Sequence, residues 1–214
     1  APLRRLRATY FETMTAAAFL LFARRRVEWA VVEVGLGGRL DATNVLLPAA
    51  CAITTIDYDH TDKLGRTLGA IAGEKAGIIK PGVPVVSSPQ RPAALRAIRR
   101  RAEPLLPGFR NVSGRGFMLR FELDGGLRCE VPALGIHQAA NAATAVALVK
   151  SSGARVGADA VREGLRNVRL PGRVEIVGRR PWRVVDAAHN PAAVRALVEA
   201  IRGLPRRRTI LVFG

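Results

Sequence analysis

An apolar run that ends in glycines and then in polar side chains constrains this fold more than any other feature. It occupies residues 29–44, with the sequence WAVVEVGLGGRLDATN. Parallel strands covered on both faces have continuous apolar sequences, so residues 29–34 are predicted to form a buried strand. Ligands of open α/β sheets bind where such strands end, so the polar residues from Arg39 to Asn44 are predicted to lie at a binding site.

A single carboxylate, that of Glu33, interrupts the predicted strand. Burying a charged group in an apolar run is costly unless a cation or a hydrogen-bond donor meets it, so Glu33 indicates a functional site. Gly35, Gly37 and Gly38 follow, and glycine lets the backbone turn sharply and approach a ligand closely. The alternative is a strand, a glycine turn and a solvated loop without function, and the position of Glu33 argues against it.

The composition is that of a globular protein with a buried core, since 49% of the 214 residues are hydrophobic. No apolar run approaches the ~20 residues of a membrane span, and residues 1–7 are not followed by the apolar segment of a signal peptide. Cys51 and Cys129 are not spaced as a metal knuckle, and buried thiols fit a reducing compartment. We therefore predict a cytoplasmic protein with no membrane partner.

The formal net charge of +17 raises the alternative of a basic nucleic-acid-binding module. The excess is almost entirely arginine, spread along the chain apart from short runs near the ends of predicted helices, where cations complement the helix dipole. Aromatic residues make up 5% of the chain, too few for the stacking platforms of single-strand binders. An arginine-biased genome or a polyanionic small substrate accounts for the charge, so no nucleic-acid partner is expected.

Hydrophobic periodicity and turn residues predict an α/β protein. The predicted helices cover residues 9–26, 67–76, 92–103, 139–151, 158–167 and 191–201, and Thr9 with Glu12 matches a capping box at the first of them. The predicted strands cover residues 29–34, 50–56, 84–86, 117–123, 127–131, 174–177, 183–185 and 209–213, with a hairpin turn at 124–126. This order predicts two domains, residues 1–170 and 171–214.

Seven short blocks carry a family resemblance. Residues 33–44 resemble a signature of the folylpolyglutamate synthase/dihydrofolate synthase family, a branch of the Mur ligase superfamily. Six further blocks are similar to the family in the family's order, at residues 59–60, 64–65, 74–78, 135–141, 171–173 and 186–191. Any one block is weak, but together they cover nearly the whole chain.

The resemblance implies a fold and an activity. Residues 1–170 are expected to be part of a Mur-ligase-type P-loop ATPase domain with a mostly parallel sheet and a β-hairpin inset. Residues 171–214 are expected to begin a Rossmann-like glutamate-ligase domain. ATP would phosphorylate a carboxylate of dihydropteroate or of a folate glutamate tail, and L-glutamate would displace the phosphate. The implied cofactors are ATP and Mg²⁺, the partners are these small substrates, and a monomer is expected.

The resemblance makes Glu33 and His60 the magnesium ligands and Lys75 a carbamylated catalytic group. Glu33 suits Mg²⁺, which prefers hard oxygen ligands, whereas imidazole is a softer ligand. The alternative for His60 is a hydrogen bond to Asp57 or Asp62.

Carbamylation would convert the side chain of Lys75 into an oxygen-bearing anion suited to a metal site, and it requires a neutral amine. The alternative is an exposed helix lysine paired with Glu74 or another nearby carboxylate.

The ATP-binding residues implied by the resemblance are Asn141, Arg173, Asp186 and His189. A guanidinium group binds phosphate bidentately, which suits Arg173. The alternatives are an asparagine on a helix face and an Arg173–Asp186 pair that joins the two domains.

The resemblance places the folate substrate against the first helix and the loop after the glycines, at Thr9, Tyr10, Phe11, Glu12, Leu40, Asp41 and Ala42. Phe11 is equally compatible with a position in the core.

One family element is missing. The phosphate loop of the family reads roughly Gly-x-x-Gly-Lys-Gly-Ser upstream of Glu33, and no Gly-Lys pair occurs in these 214 residues. We therefore expect an internal fragment of a longer ligase that is inactive by itself. Another Mur-type amide ligase, such as a peptidoglycan-precursor synthetase, is the alternative, and residues 41–44 and 74–77 favour the folate branch.

Overall fold

Helices and strands alternate along most of the chain in the computed structural model, which describes residues 7–204 and 208–214. The helices are α1 (Tyr10–Arg25), α2 (Thr61–Leu64), α3 (Leu68–Lys75), α4 (Pro92–Arg99), α5 (His137–Ser151), α6 (Ala158–Arg166) and α7 (Pro191–Ile201). The strands are β1 (Cys51–Ile53), β2 (Val85–Ser87), β3 (Phe109–Arg115), β4 (Met118–Leu123), β5 (Arg128–Val131), β6 (Glu175–Arg179) and β7 (Trp182–Val185). Short 3₁₀ turns cover Ala42–Val45 and Ala76–Ile78.

The first core forms around a parallel pair of strands. β1 pairs with β2, with Cys51 opposite Val85, and helices α3 and α4 pack against each other beside them. Ile56, Ile71 and Ile98 are among the side chains that this core buries almost completely. Burying each such side chain stabilises the fold by about 1.5–3 kcal/mol.

The second core forms between an antiparallel sheet and two helices. Strands β3, β4 and β5 pair in sequence order, and the alternate residues Leu119, Phe121 and Leu123 point into this core. Helix α5 is rich in alanine, and its small side chains let it contact both β2 and β4. A buried hydrogen bond of 2.7 Å between Ser88 Oγ and Thr144 Oγ1 also connects α5 to the first core.

The C-terminal part consists of the hairpin β6–β7 followed by α7. The two strands are antiparallel, with Glu175 opposite Val185. The side chain of Asn190 caps α7, because its Oδ1 accepts the N–H of Ala193 at 2.9 Å. No helix in the described part of the chain has the length and apolarity needed to span a bilayer.

Two predicted strands are wrong. Residues 29–34 and 209–213 belong to no strand, and Trp29, Val31 and Val212 are 62%, 97% and 92% exposed. A β-branched apolar sequence favours extended backbone, but a strand exists only where a second strand supplies hydrogen-bond partners. Within residues 7–204 and 208–214 no strand pairs with either segment.

Two further expectations about the sheets need correction. The sheet is not mostly parallel in the described residues, since β1–β2 is the parallel pair of strands and the other two sheets are antiparallel. Strand β3 is absent from the predicted strands, because Arg110, Asn111, Ser113 and Gly114 obscure its alternation, and its register shifts between Arg110 and Ser113. Pairing with β4 imposes the extended conformation there.

Several local predictions are confirmed. The capping box of α1 is present, with the side chain of Thr9 accepting the N–H of Glu12 and that of Glu12 accepting the N–H of Thr9. Cys51 and Cys129 are free and buried, and burial raises the pKa of both thiols. The ends of helices α3 to α7 lie no more than four residues from their predicted bounds.

Candidate active site

The loop after the glycines is organised by one carboxylate. Asp41 Oδ2 accepts the N–H groups of Gly35 and Leu36 at 3.0 and 3.1 Å. Asp41 Oδ1 accepts the N–H and the hydroxyl of Thr43 at 2.9 and 2.6 Å. Burial by itself would raise the pKa of Asp41, but these hydrogen bonds outweigh it and the pKa lies below its ordinary value. Asp41, a predicted substrate residue, thus holds the loop in shape.

The same loop is bound to the end of α3. The guanidinium of Arg39 meets the carboxylate of Glu74, with Nη2 and Oε1 3.0 Å apart, and the N–H of Arg39 donates to the carbonyl of Glu74 at 2.9 Å. Asn44 Nδ2 donates to the carbonyls of Arg39 and Gly77 at 3.0 and 3.2 Å. Lys80 Nζ donates to the carbonyl of Asn44 at 2.9 Å. Residues 39–44 and 74–80, separate in sequence, therefore form one structural unit.

Glycine is required where these two segments touch. A Cβ at Gly77 would lie 2.5 Å from the Cα of Arg39 and closer still to its Cβ. A Cβ at Gly38 would lie 2.8 Å from the carbonyl oxygen of Lys75. Both approaches are shorter than real contacts, so the glycines allow the loop to approach the helix carrying Lys75.

Lys75 is half-buried at the end of α3. Its expected alternative partner, Glu74, is paired with Arg39 instead. Among the described residues, the ammonium group of Lys75 forms no hydrogen bond and no ion pair. The alternative of a lysine held by a neighbouring carboxylate is therefore wrong for this structure.

Glu33 is exposed rather than buried, so the premise that a strand buries its charge is wrong. Its carboxylate has no hydrogen bond or ion pair within residues 7–204 and 208–214. No group of three or more His, Cys, Asp and Glu side chains in the described chain is placed to hold a metal ion. A carboxylate without protein partners fits the needs of Mg²⁺, which usually binds one or two carboxylates and keeps several waters.

His60 lies at the start of α2 in the left-handed conformation, with φ 47° and ψ 41°. Its N–H donates to Asp59 Oδ1 at 2.9 Å, and its Nε2 lies 3.8 Å from the same oxygen. The alternative partners Asp57 and Asp62 form no hydrogen bond with the ring of His60 in the described residues. The carboxylate beside His60 is therefore that of Asp59.

Asp59 also meets the C-terminal part of the chain. Asn190 Nδ2 donates to Asp59 Oδ2 at 3.0 Å, and His189 Nε2 lies 3.5 Å from that oxygen. Burial acts to raise the pKa of Asp59, but the hydrogen bond from Asn190 and the charges of His60 and His189 lower it below its ordinary value. The structure thus brings two predicted site residues, His60 and His189, to one carboxylate.

Asp186 holds the turn that carries Arg173. Its Oδ2 accepts the N–H of Val174 at 2.7 Å and its Oδ1 accepts the N–H of Ala188 at 2.8 Å. The N–H of Ala187 also donates to the carbonyl of Gly172 at 2.9 Å. The side chain of Arg173 is exposed and pairs with no described carboxylate, so the alternative of an Arg173–Asp186 pair is wrong.

A further residue near this turn, His137, enters the sequence prediction only as part of a block. Its pKa is lowered, first by burial and then by the positive charge of Arg173, while the negative charge of Asp186 opposes the shift. His137 is therefore within the electrostatic range of both Arg173 and Asp186. Asn141 is on the same helix, α5, and its Nδ2 donates to Gln138 Oε1 at 3.1 Å. The block at residues 135–141 is the available sequence signal for His137.

The predicted folate residues lie at the start of α1 and in the loop 40–42. Thr9 and Glu12 hydrogen-bond each other in the capping box. Tyr10 is 82% exposed, and the loop residues Leu40 and Ala42 are exposed and half-buried. Phe11 is not a core residue: its ring lies against Gly35, where a Cβ would come 2.6 Å from the ring. Phe11 therefore connects α1 to the start of the glycine loop.

A groove of about 400 Å³ lies elsewhere, beside β4, β5 and α6, and contains none of the predicted site residues. Arg120 and Arg166 pair there with Glu130, and Arg162 pairs with Asp159. Because these carboxylates offset much of the positive charge of the groove, it does not suit a polyanionic ligand.

Comparison with known proteins places the chain in a family. A family model described as "Mur ligase, glutamate ligase domain" matches residues 172–214. The dihydrofolate synthase/folylpolyglutamate synthase of Bacillus subtilis (strain 168) is 38% identical over 212 residues, which are 91% of this chain and 49% of that protein.

Solved structures of folylpolyglutamate synthases are also similar to this chain. A structure of Mycobacterium tuberculosis folylpolyglutamate synthase complexed with ADP and AMPPCP is 38% identical, has a TM-score of 0.83, and matches 92% of this chain and 48% of that one. A structure of an FPGS–AMPPCP–folate complex is 33% identical with a TM-score of 0.87, and matches 96% of this chain and 56% of that one.

The chain spans about half the length of these relatives. The likeness extends over nearly all of the chain in both sequence and structure. The predicted Mur-ligase-type fold is confirmed as a partial fold with parallel and antiparallel sheets. The chain therefore belongs to the folylpolyglutamate synthase/dihydrofolate synthase family of the Mur ligase superfamily.

Proposed function

We propose that this chain is part of an ATP-dependent ligase that joins L-glutamate to dihydropteroate or to folylpolyglutamate through an acyl phosphate. The observation that carries the proposal is the unit formed by residues 39–44 and 74–80, in which the glycine loop touches the backbone of Lys75. The family relatives bear names of this activity, and related structures are described as complexes with AMPPCP and folate. In the full-length ligase, the division into an ATPase domain (1–170) and a glutamate-ligase domain (171–214 onward) is part of the proposal.

In this proposal Glu33 and His60 hold the metal ion. The free carboxylate of Glu33 supplies a hard oxygen ligand, and His60 presents its ring from a left-handed backbone beside Asp59. Bound Mg²⁺ would neutralise phosphate charge as the acyl phosphate forms. Glu33 and His60 would be two protein ligands, and Mg²⁺ usually keeps several waters and binds substrate phosphates as well.

Lys75 is proposed to be carbamylated. Lys75 is a half-buried residue, and its amine has no carboxylate partner in the described residues, so no ion pair has to be broken for CO₂ to add to the neutral amine. The added group would place an anion beside the glycine loop. Hydrogen bonds of Asp41 and Asn44 hold this loop, which touches the backbone of Lys75 at Gly38.

ATP is proposed to lie between α5 and the turn at residues 172–190. Arg173 has no protein partner among the described residues and can bind phosphate oxygens bidentately. Each oxygen of Asp186 accepts one N–H and keeps a second lone pair for a ribose hydroxyl. Asn141 on α5 and His189 beside Asp59 complete the proposed nucleotide site.

The folate substrate is proposed to contact the start of α1 and the loop 40–42, which Phe11 and Gly35 bring together. A polyanionic substrate set, comprising ATP, glutamate and a glutamate tail, suits the net charge of +17. The predicted monomer and cytoplasmic location remain predictions.

The test is ADP release by the full-length ligase with Mg²⁺, glutamate and either dihydropteroate or tetrahydrofolate. Glu33→Gln keeps the shape of the side chain but removes its charge, so activity should fall at least ~100-fold at limiting Mg²⁺. Glu28→Gln, which changes another exposed carboxylate five residues earlier, is the matched control and should leave activity unchanged. Unchanged turnover of Glu33→Gln would remove the metal assignment.

The nucleic-acid alternative has its own test. Filter binding of labelled DNA and RNA to the 214-residue chain, titrated with salt, should show no binding at moderate ionic strength. Retention that falls steeply with salt and occurs at micromolar protein would support the alternative instead.

A further inference from the structure

One side chain, that of Asn190, ties helix α7 to the loop that carries His60. Asn190 Oδ1 accepts the N–H of Ala193 at 2.9 Å and so caps α7, while Asn190 Nδ2 donates to Asp59 Oδ2 at 3.0 Å. Asn190 and Asp59 are 131 positions apart in sequence. A single amide thus uses both of its polar atoms, one to begin a helix and the other to hold a distant carboxylate.

Both oxygens of the Asp59 carboxylate also form hydrogen bonds. Its Oδ2 accepts the hydrogen bond from Asn190, and its Oδ1 accepts the backbone N–H of His60 at 2.9 Å. His60 has φ 47°, a left-handed conformation that is uncommon for residues other than glycine, although histidine adopts it more often than most. The direction of the His60 ring depends on that conformation, because the backbone dihedrals orient the Cα–Cβ bond.

From this geometry we infer that the hydrogen bond between Asn190 and Asp59, called the latch below, positions His60. The His60 side of the metal site therefore takes its shape only when helix α7 is docked on the loop that carries Asp59. The inference rests on the proposed function, since it takes His60 as a metal ligand. Asn190 and Asp59 are positioning residues: they act through His60 and need not touch a substrate. Asn190 lies in the C-terminal part of the chain (residues 171–214) and His60 in the N-terminal part (residues 1–170). The metal site is therefore complete only when these two parts are in contact.

A second contact between the same parts serves as a comparison. Arg195 Nη2 on α7 lies 3.6 Å from Asp57 Oδ2, and Arg91 Nη2 lies 3.3 Å from the same oxygen. The Arg195 side chain is 66% exposed, so this pair is screened by solvent, and Asp57 keeps Arg91 when Arg195 is removed. Arg195→Ala is therefore the matched control for loss of a contact between the parts that does not involve the latch.

Substitutions at position 190 can remove the hydrogen bond to Asp59 while keeping the cap of α7. Serine caps helices about as well as asparagine, so Asn190→Ser keeps the start of α7 but cannot reach Asp59. Asn190→Asp keeps the cap and replaces the donor with a second carboxylate facing Asp59. The double variant Asn190→Asp/Asp59→Asn exchanges the two partners. The new amide at position 59 would donate to the new carboxylate at position 190, and its oxygen would still accept the N–H of His60. This variant should restore the latch if the hydrogen bond itself matters.

Activity is measured in the full-length ligase. Asn190→Ser and Asn190→Asp should each lower kcat ~10-fold or more and raise the Mg²⁺ concentration needed for half-maximal rate, with the KM for folate unchanged. The double variant should recover to within ~3-fold of wild type, and Arg195→Ala should behave as wild type. A double variant no better than the single variants, or single variants with normal kcat and Mg²⁺ dependence, would overturn the latch.

Amide hydrogen exchange in the full-length ligase gives a readout that does not depend on activity. Asn190→Ser and Asn190→Asp should speed exchange at His60, the double variant should restore protection, and Ala193 should stay protected throughout. If the wild-type ligase has no glutamate-ligase activity, the proposed function is wrong. The exchange rate at His60 still tests whether the Asn190–Asp59 hydrogen bond positions His60. Equal exchange at His60 in all variants overturns the latch even if the ligase is active.

Discussion

The role of Asp41 can be tested by Asp41→Asn, a substitution that nearly preserves shape. The wild-type carboxylate accepts four hydrogen bonds, from the N–H groups of Gly35 and Leu36 and from the N–H and hydroxyl of Thr43. Asparagine keeps one acceptor oxygen, which can still serve Thr43. Its NH₂ group would face the N–H groups of Gly35 and Leu36, so two donors would lose their acceptor and meet another donor.

The expected cost follows from these contacts. A hydrogen bond to a charged acceptor contributes about 1.5–3 kcal/mol, but Asp41 is only half-buried and water can satisfy some of the freed donors. We therefore expect Asp41→Asn to lower the free energy of unfolding by about 1.5–3 kcal/mol in total, not per bond. For a chain of this size that corresponds to a fall in Tm of roughly 3–12 °C.

The effect should depend on pH in a defined direction. The pKa of Asp41 in the folded chain lies below its ordinary value of 3.8. The stabilisation is therefore fully present above the unfolded pKa and is lost as the pH falls through the folded pKa. The difference between wild type and Asp41→Asn should be constant from about pH 7 to pH 5 and should shrink below about pH 4.

Urea denaturation of both proteins across this pH range measures the difference directly. Asp62→Asn is the control, because Asp62 is exposed and has no partner among the described residues, and it should change stability by less than ~0.5 kcal/mol. A difference for Asp41→Asn below ~0.5 kcal/mol, or one that persists unchanged at low pH, would refute the assignment of Asp41 as the organiser of the loop.

Three further predictions concern the site. Gly77→Ala should destabilise the chain by about 1–3 kcal/mol in urea denaturation, because the new Cβ would meet the backbone of Arg39, whereas Gly73→Ala, with open space, should not. In the full-length ligase, Lys75→Ala should abolish ADP release and regain part of it with an added small carboxylate; no rescue, or a structure with Lys75 uncarbamylated and in solvent, would contradict carbamylation. Arg173→Ala should raise the KM for ATP more than the KM for folate, and equal effects would argue against a phosphate contact.

The local signals in the sequence determined much of the secondary structure. Thr9 and Glu12 predict the capping box of α1, and Thr67 predicts the start of α3, where its hydroxyl accepts the N–H of Ala70 at 3.1 Å. The Asp124-Gly125-Gly126 sequence predicts the hairpin between β4 and β5. Each of these signals depends on partners a few residues apart, so the sequence alone contains both halves of the interaction.

Long-range pairing was decided only by the tertiary structure. Residues 29–34 and 209–213 have strand-like sequences, yet neither forms a strand, because no described strand lies beside them. Strand β3 has a weak sequence pattern and is a strand because β4 supplies its partners. β-structure depends on a second segment in space more than on the sequence of the first.

The same distinction applies to the site. The sequence blocks identify Glu33, His60 and Lys75 as candidates, but not that Arg39 rather than Lys75 pairs with Glu74. They also do not show that Asn190 reaches Asp59 across 131 positions. The sequence determines which functional groups are present and which turns and helices carry them. Which carboxylate each cation or amide meets depends on how the elements pack, because hydrogen bonds and ion pairs form only over a few ångströms.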